Sequence, residues 1–363
     1  MIFADHLLVR CFSKKIALAD LTLEQWDQLI VVARESKLLP RLAWQAQKCG
    51  IASTLDSRVR QHLLTGQIIG QKQRAGVLWE SRCIAQTLAQ VNCKIVLLKG
   101  GAYVASDLSM GLGRTMSDID ILVPREKLDQ VEALLLSQGW EQMKSDAYDQ
   151  GYYRHWMHEL PPMQHSRRGT VIDVHHTILP LTGRLKPDPQ KMLDDAVPID
   201  TLPSIWRLSL TDMVLHSAAH LFQDGEISGG LRDLIDLRGL FEEGDQAFWQ
   251  GLVDRAKHLN LERPLFYALR YVQKILAFDP PQSVMQSMQR HRGWGPRLKL
   301  MDWMVTYAIL PQIGTPKKSL SRALAREGLY IRSHWLRMPA GMLIKHLGVK
   351  AMRRIFPDRA NKC

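Results

Sequence analysis

Asp118 and Asp120 stand two residues apart in the run Ser117-Asp118-Ile119-Asp120-Ile121-Leu122-Val123. Acids alternating with isoleucines predict a strand with one buried apolar face, which puts both carboxylates on the other face. At a rise of about 3.3 Å per residue their Cβ atoms lie roughly 6–7 Å apart. Two acids so placed repel unless a cation lies between them, and hard divalent ions take oxygen ligands. A metal pair about 3.5–4 Å apart, bridging carboxylates and phosphate oxygens, is the usual arrangement for in-line phosphoryl chemistry. By itself D-x-D more often marks a solvated strand face. The residues upstream change that reading.

Leu97-Leu98-Lys99-Gly100-Gly101 ends an apolar run and opens a short helix, so backbone N–H groups at its start can receive a phosphate without interference from a Cβ. Arg114 and Ser117 lie just before the acids, where a guanidinium can neutralise a triphosphate. A glycine pair alone would be an ordinary tight turn. Here the strand, the glycines, the arginine and D-x-D fall within the 27 residues from Lys94 to Asp120.

The segment L-L-K-G-G-A…G-R-T-M-S-D-I-D-I-L-V resembles the DNA polymerase β-type nucleotidyltransferase superfamily. More specifically, it is similar to the uncharacterised bacterial nucleotidyltransferases found with exopolysaccharide and exosortase gene clusters. Those proteins also have an N-terminal helical lobe and a later strand carboxylate of the form I-D-x-H, matched here by Val171-Ile172-Asp173-Val174-His175-His176. The resemblance spans roughly residues 20–270. It implies a magnesium-dependent enzyme, with manganese able to substitute, that moves a nucleoside monophosphate from a triphosphate such as ATP to an acceptor hydroxyl and releases pyrophosphate. Asp118, Asp120 and Asp173 would be catalytic and hold the metal, and Lys99, Gly100, Gly101, Arg114 and Ser117 would bind the nucleotide. Asp173 shares its strand face with Val171 or His175, opposite Ile172 and Val174. A third carboxylate beside the metal pair can orient the acceptor and take its proton; the plain alternative is an acid at a strand end. Sixteen residues separate Gly101 from Asp118, a longer spacing similar to that of abortive-infection nucleotidyltransferase toxins. Two rivals follow: a catalytically silent nucleotidyltransferase fold that binds nucleotide or a partner, and a toxin-like enzyme that modifies protein or RNA.

Other chemical groupings are weaker. His155, His158, His165, His175 and His176 crowd one segment but fit no zinc template, so zinc is not expected. His216 and His220, four apart on a helix, have a metal-capable spacing but read better as lining between core and helical lobe. Arg232, Asp233 and Asp236 read as local ion pairs, or as residues offered to the nucleotide. There is no serine-hydrolase elbow and no Walker loop.

The elements that must position these residues form an α+β chain: a small mixed-sheet core flanked by helical lobes. Thr22 and Gln25 make a capping-box pair, with Trp26, Leu29, Ile30 and Ala33 on one helical face. A helical lobe over 1–90 precedes a nucleotidyltransferase core over 91–205. In that core, short strands are expected at Lys94–Leu98, Asp118–Val123, Tyr152–Met157 and Thr170–His175, and a helix after Pro124 ends at Gly139. A helical domain over 206–313 and a basic tail over 314–363 follow.

The net charge of +12 is concentrated in that tail, where twelve lysines and arginines face only Glu327 and Asp358. From Tyr330 to Phe356 these cations alternate with an apolar set that includes Ile331, Trp335, Leu343 and Ile355, split by Pro339 and Gly341 into two short helices. An apolar face flanked by basic residues suits an anionic membrane surface, and equally a helix docked on the core. Nucleic acid is the less favoured partner, because the tail has few aromatic residues to stack on bases. Five scattered cysteines without a C-x-x-C spacing, no secretory signal and no apolar run of membrane-spanning length predict a cytoplasmic protein, peripheral at most at the inner face of the membrane.

Overall fold

The computed structural model describes residues 6–143, 147–223, 227, 229–293, 295–311, 319–339 and 341. Four helices come first: α1 (Leu7–Phe12), α2 (Leu23–Glu35), α3 (Leu39–Lys48) and the long α4 (Ser57–Thr87). The capping box at α2 is formed, with Gln25 N donating to Thr22 Oγ1 at 3.2 Å and Thr22 N to Gln25 Oε1 at 2.9 Å. Its inward face buries Trp26, Leu29, Ile30 and Ala33.

The sheet section follows with β1 (Ile95–Leu97), α5 (Lys99–Ala105), β2 (Asp118–Leu122), α6 (Leu128–Ser137), β3 (Trp140–Gln142), α7 (Ala147–Trp156), β4 (Met163–His165), β5 (Val171–His175), α8 (Pro189–Asp194), β6 (Val197–Pro198) and β7 (Ile205–Arg207). These seven strands form one mixed sheet in the order β3-β4-β5-β2-β1-β7-β6. The chain closes with α9 (Leu210–Gln223), α10 (Gly230–Glu242), α11 (Gln246–His258), α12 (Glu262–Leu276), α13 (Gln282–Met288), α14 (Gly295–Ile309) and α15 (Leu320–Arg337). A single apolar core runs from Leu8 to Leu329 through both helical sections and the sheet. The α+β architecture is as the sequence patterning implies.

Two local readings differ from the structure. Tyr152–Met157, expected as a strand, belongs to α7 up to Trp156. Its aromatic residues favour strands by type, but the four-residue spacing of Tyr152 and Trp156 matches a helix turn and brings their rings to 5.7 Å. The tail begins as one helix of 18 residues, α15, rather than a short one. It packs on α14 and α9, burying Ala325, Leu329 and Ser333. Residues 342–363, the rest of the expected amphipathic tail, lie outside the described residues.

A buried ionic cluster ties the first and last helical sections to the loop before β2. Asp236 on α10 receives Arg114 Nε at 2.6 Å and Arg41 Nη2 at 2.8 Å. Arg41, on α3, also donates to the carbonyl of Met110. The loop reaches α3 closely enough that a Cβ on Gly113, whose φ is +69°, would stand 2.7 Å from the Arg41 backbone nitrogen. Removing one partner of a buried ion cluster leaves the others charged and dry, at a cost of about 3–5 kcal/mol. Asp236→Asn is therefore expected to destabilise the chain by about that much, measured by urea denaturation. An unchanged midpoint would show that the two guanidiniums do not depend on this carboxylate.

Candidate active site

The pairing of β2 with β5 decides the geometry. The strands run parallel with Asp118 opposite Val171 and Asp120 opposite Asp173. Asp118, Asp120 and Asp173 therefore share one face, while Ile119, Ile121, Ile172 and Val174 are buried on the other. Asp120 is almost fully buried, and Ser117 is exposed, its hydroxyl 3.4 Å from Asp118 Oδ1.

Strand β1 lies antiparallel on the other side of β2, with Leu97 opposite Ile121. The Leu98 N–H extends that ladder to the Asp120 carbonyl at 3.0 Å, so the chain enters α5 beside the acids. Lys99 stands at this junction with φ +44°, a region that side-chain-bearing residues seldom occupy. Its ammonium is 3.1 Å from Asp120 Oδ1. Lys99, expected to bind nucleotide, is thus the direct cation partner of an acid expected to hold metal.

His175 completes the pairing from β5, its Nε2 also 3.0 Å from Asp120 Oδ1. Its Nδ1 faces Glu159 Oε2 at 3.4 Å. Glu159 reaches this place because residues 158–160 run antiparallel along the end of β5. Glu159 bridges His175, Leu160 N–H bonds the Val174 carbonyl at 2.9 Å, and His176 N–H bonds the His158 carbonyl at 2.9 Å. Sequence reading gave Glu159 no part. The adjacent pair His158-Glu159 was its only local signal, and nothing in the spacing ties that pair to His175.

The electrostatics follow from burial against charge. Burial opposes ionisation of Asp120, yet Lys99 and His175 outweigh it and hold the carboxyl well below the usual carboxylate range. Asp173 lacks such a partner: burial, then the nearby Asp120 and Glu159 charges, push it up to about 7. One of its oxygens, Oδ1, is buried without a hydrogen-bond partner. Burial also raises Glu159 and lowers His158, His216 and His220. His216 and His220, on α9, feel the charges of Lys99 and Asp120, so this helix borders the same ionic group.

The other nucleotide-binding expectations are distributed unevenly. Gly100 and Gly101 open α5 as expected and are buried, and a Cβ on Gly100 would stand 3.0 Å from the Met116 methyl. The stem of Arg114 passes beside Gly100, but its guanidinium lies on Asp236, with Asp233 at 3.4 Å. The structure thus brings Asp118, Asp120, Asp173 and Lys99 together and turns Arg114 towards α10.

A hard divalent ion fits this donor set. Asp173 Oδ1 is an orphaned buried oxygen on the strand beside Asp120, and carboxylate oxygens are what magnesium or manganese accepts. One face of the sheet carries the three acids beside the start of α5, whose second and third residues are Gly100 and Gly101. A family model described as uncharacterised nucleotidyltransferase matches residues 22–277, and the chain belongs to that family of transferases of phosphorus-containing groups. No curated protein matches the sequence. Among solved structures, that of JHP933 from Helicobacter pylori is similar at 12% identity and a TM-score of 0.32, covering 78% of this chain and 97% of that one.

The state of Asp173 gives a sign for pH dependence. Its folded pKa, about 7, stands above the ordinary carboxyl value, so across roughly pH 4–7 the folded chain keeps a proton that the unfolded chain has lost. Stability from this group is therefore lost as pH rises through that window. Without divalent ions, Asp173→Asn is expected to melt several degrees above the parent at about pH 8 and near it at about pH 5. Calorimetry in a chelator measures this, and an equal gap at both values would show that Asp173 does not carry the shift.

Proposed function

We propose that the protein transfers a nucleoside monophosphate from a nucleoside triphosphate to an acceptor hydroxyl, releasing pyrophosphate. The observation that carries this reading is the face shared by Asp118, Asp120 and Asp173, with Asp173 Oδ1 buried and unpartnered. Asp118, Asp120 and Asp173 would hold magnesium, or manganese in its place, which supplies charge for the triphosphate oxygens. Lys99, whose ammonium lies 3.1 Å from Asp120 Oδ1, would supply positive charge to phosphates bound beside this face. The N–H groups that open α5 at Gly100 and Gly101 receive phosphate oxygens. The acceptor oxygen forms a bond to the α-phosphorus as the bond to pyrophosphate breaks, and the hydroxyl proton passes to Asp173.

Asp118→Asn and Asp120→Asn are expected to abolish Mg-nucleotide binding and transfer, a loss of several kcal/mol in transition-state stabilisation. Asp173→Asn is expected to keep most nucleotide affinity and lose turnover. Titration calorimetry with Mg-nucleotide and labelled-triphosphate transfer test these outcomes. Intact binding in both of the first two variants would end the two-metal reading, and transfer by Asp173→Asn would remove that residue from the chemistry. The likeness to exopolysaccharide-associated nucleotidyltransferases makes a polysaccharide or precursor hydroxyl the first acceptor to try, with protein and RNA hydroxyls beside it.

A second reading, peripheral membrane binding, rests on the outer face of α15. Leu320, Leu324, Ile331 and Trp335 fall on one helical stripe and are all exposed, Leu320 at 72% and Ile331 at 65%. Arg326 is exposed on the same helix. Among the described residues no helix is long and apolar enough to cross a membrane, so the contact would be superficial. Leu324→Glu with Ile331→Glu is expected to abolish salt-sensitive sedimentation with anionic vesicles. Equal sedimentation of parent and variant would refute membrane contact through this stripe.

A further inference from the structure

His158, Glu159 and His175 stand outside the acid trio, and the proposed transfer leaves His158 and Glu159 without a task. One ligand atom from each lies within 4.8 Å of the other two. Glu159 Oε2 is 3.4 Å from His175 Nδ1 and 3.6 Å from His158 Nε2. A tetrahedral ion with bonds of about 2.0–2.1 Å separates neighbouring ligand atoms by about 3.3–3.4 Å. Glu159 already stands at nearly that spacing from each histidine.

The second observation is the orientation of His175. Its side chain is 3% exposed, and its Nδ1 is buried without a hydrogen-bond partner although a carboxylate oxygen stands opposite. Its Nε2 is taken by Asp120 at 3.0 Å. This is the carboxylate–histidine arrangement in which an outer acid fixes the ring and its tautomer, leaving the other nitrogen lone pair for a metal. The ladder between residues 158–160 and the end of β5 holds the ligands at fixed separation, so no loop has to fold to complete the set.

We propose that His158, Glu159 and His175 form a second metal site, for a borderline divalent ion of the zinc or cobalt kind, coupled to the acid trio through Asp120. Two imidazoles and one carboxylate suit such ions better than magnesium. Three protein ligands leave a tetrahedral position open for water or a substrate oxygen. No zinc-ligand spacing along the chain marks this set, because its members come from two segments joined only by strand pairing.

Cobalt serves as the probe, added to the full chain in the presence of excess magnesium. The parent and Asp118→Asn are both expected to bind one equivalent with the visible absorption of a low-coordinate cobalt centre. His158→Ala and Glu159→Gln are expected to weaken that binding by about tenfold or more, with far-ultraviolet circular dichroism confirming the fold; the near-isosteric Glu159→Gln keeps the test informative should His158→Ala unfold. Cobalt titrations of Glu159→Gln matching the parent would overturn the site and leave Glu159 as a charge partner of His175. Loss of the signal in Asp118→Asn alone would place the ion on the acid trio instead. Because the readout is cobalt absorption, absence of nucleotidyl transfer would count against the trio's proposed role and leave this site standing.

Discussion

Asp120 and Asp173 are held side by side by the parallel register of β2 and β5, and this constraint governs the surrounding charge. Both carboxylates lie on a largely buried sheet face, where ionising the pair without a cation is unfavourable. The protein resolves half of the problem with its own groups, Lys99 and His175, which both meet Asp120 Oδ1. It leaves the other half open: Asp173 keeps a buried oxygen without a partner and a raised pKa. The charge on this face is thus compensated on one side only.

The helices fix what surrounds this face. Asp236 gathers Arg41 and Arg114, and so joins α3, the loop before β2 and α10 in one buried cluster. Arg114 thereby fixes the approach to β2 at the place where the strand's acids begin. Helix α9 crosses nearby, with the Tyr103 hydroxyl of α5 meeting Ser217 at 2.6 Å, so the helix that starts at the glycines is clamped from its far side.

The end of α15 is tied to the same neighbourhood. The Thr182 hydroxyl donates to the Arg337 carbonyl at 2.7 Å, and Arg184 N–H to the Leu336 carbonyl at 3.1 Å. Arg337 is close enough for its charge to act on Glu159 and His158. The first part of the basic tail is therefore docked, with its inner face in the core and its outer apolar stripe facing water.

Local pattern in the chain marks most of the elements and the acids of β2. Period-two alternation placed Asp118 and Asp120 on one strand face, because successive strand residues point to opposite sides. Capping and helical spacing mark α2, since these signals are local in the chain. In aromatic-rich α7 residue type favours a strand, while the four-residue spacing carries the helix. Tertiary structure alone decided the rest. That Asp173 stands opposite Asp120 depends on strand register, that Glu159 meets His175 depends on an antiparallel bridge, and that Arg114 turns to Asp236 depends on a helix more than a hundred residues away. Such contacts are set by packing and charge balance between distant segments, and no local spacing in one chain encodes them.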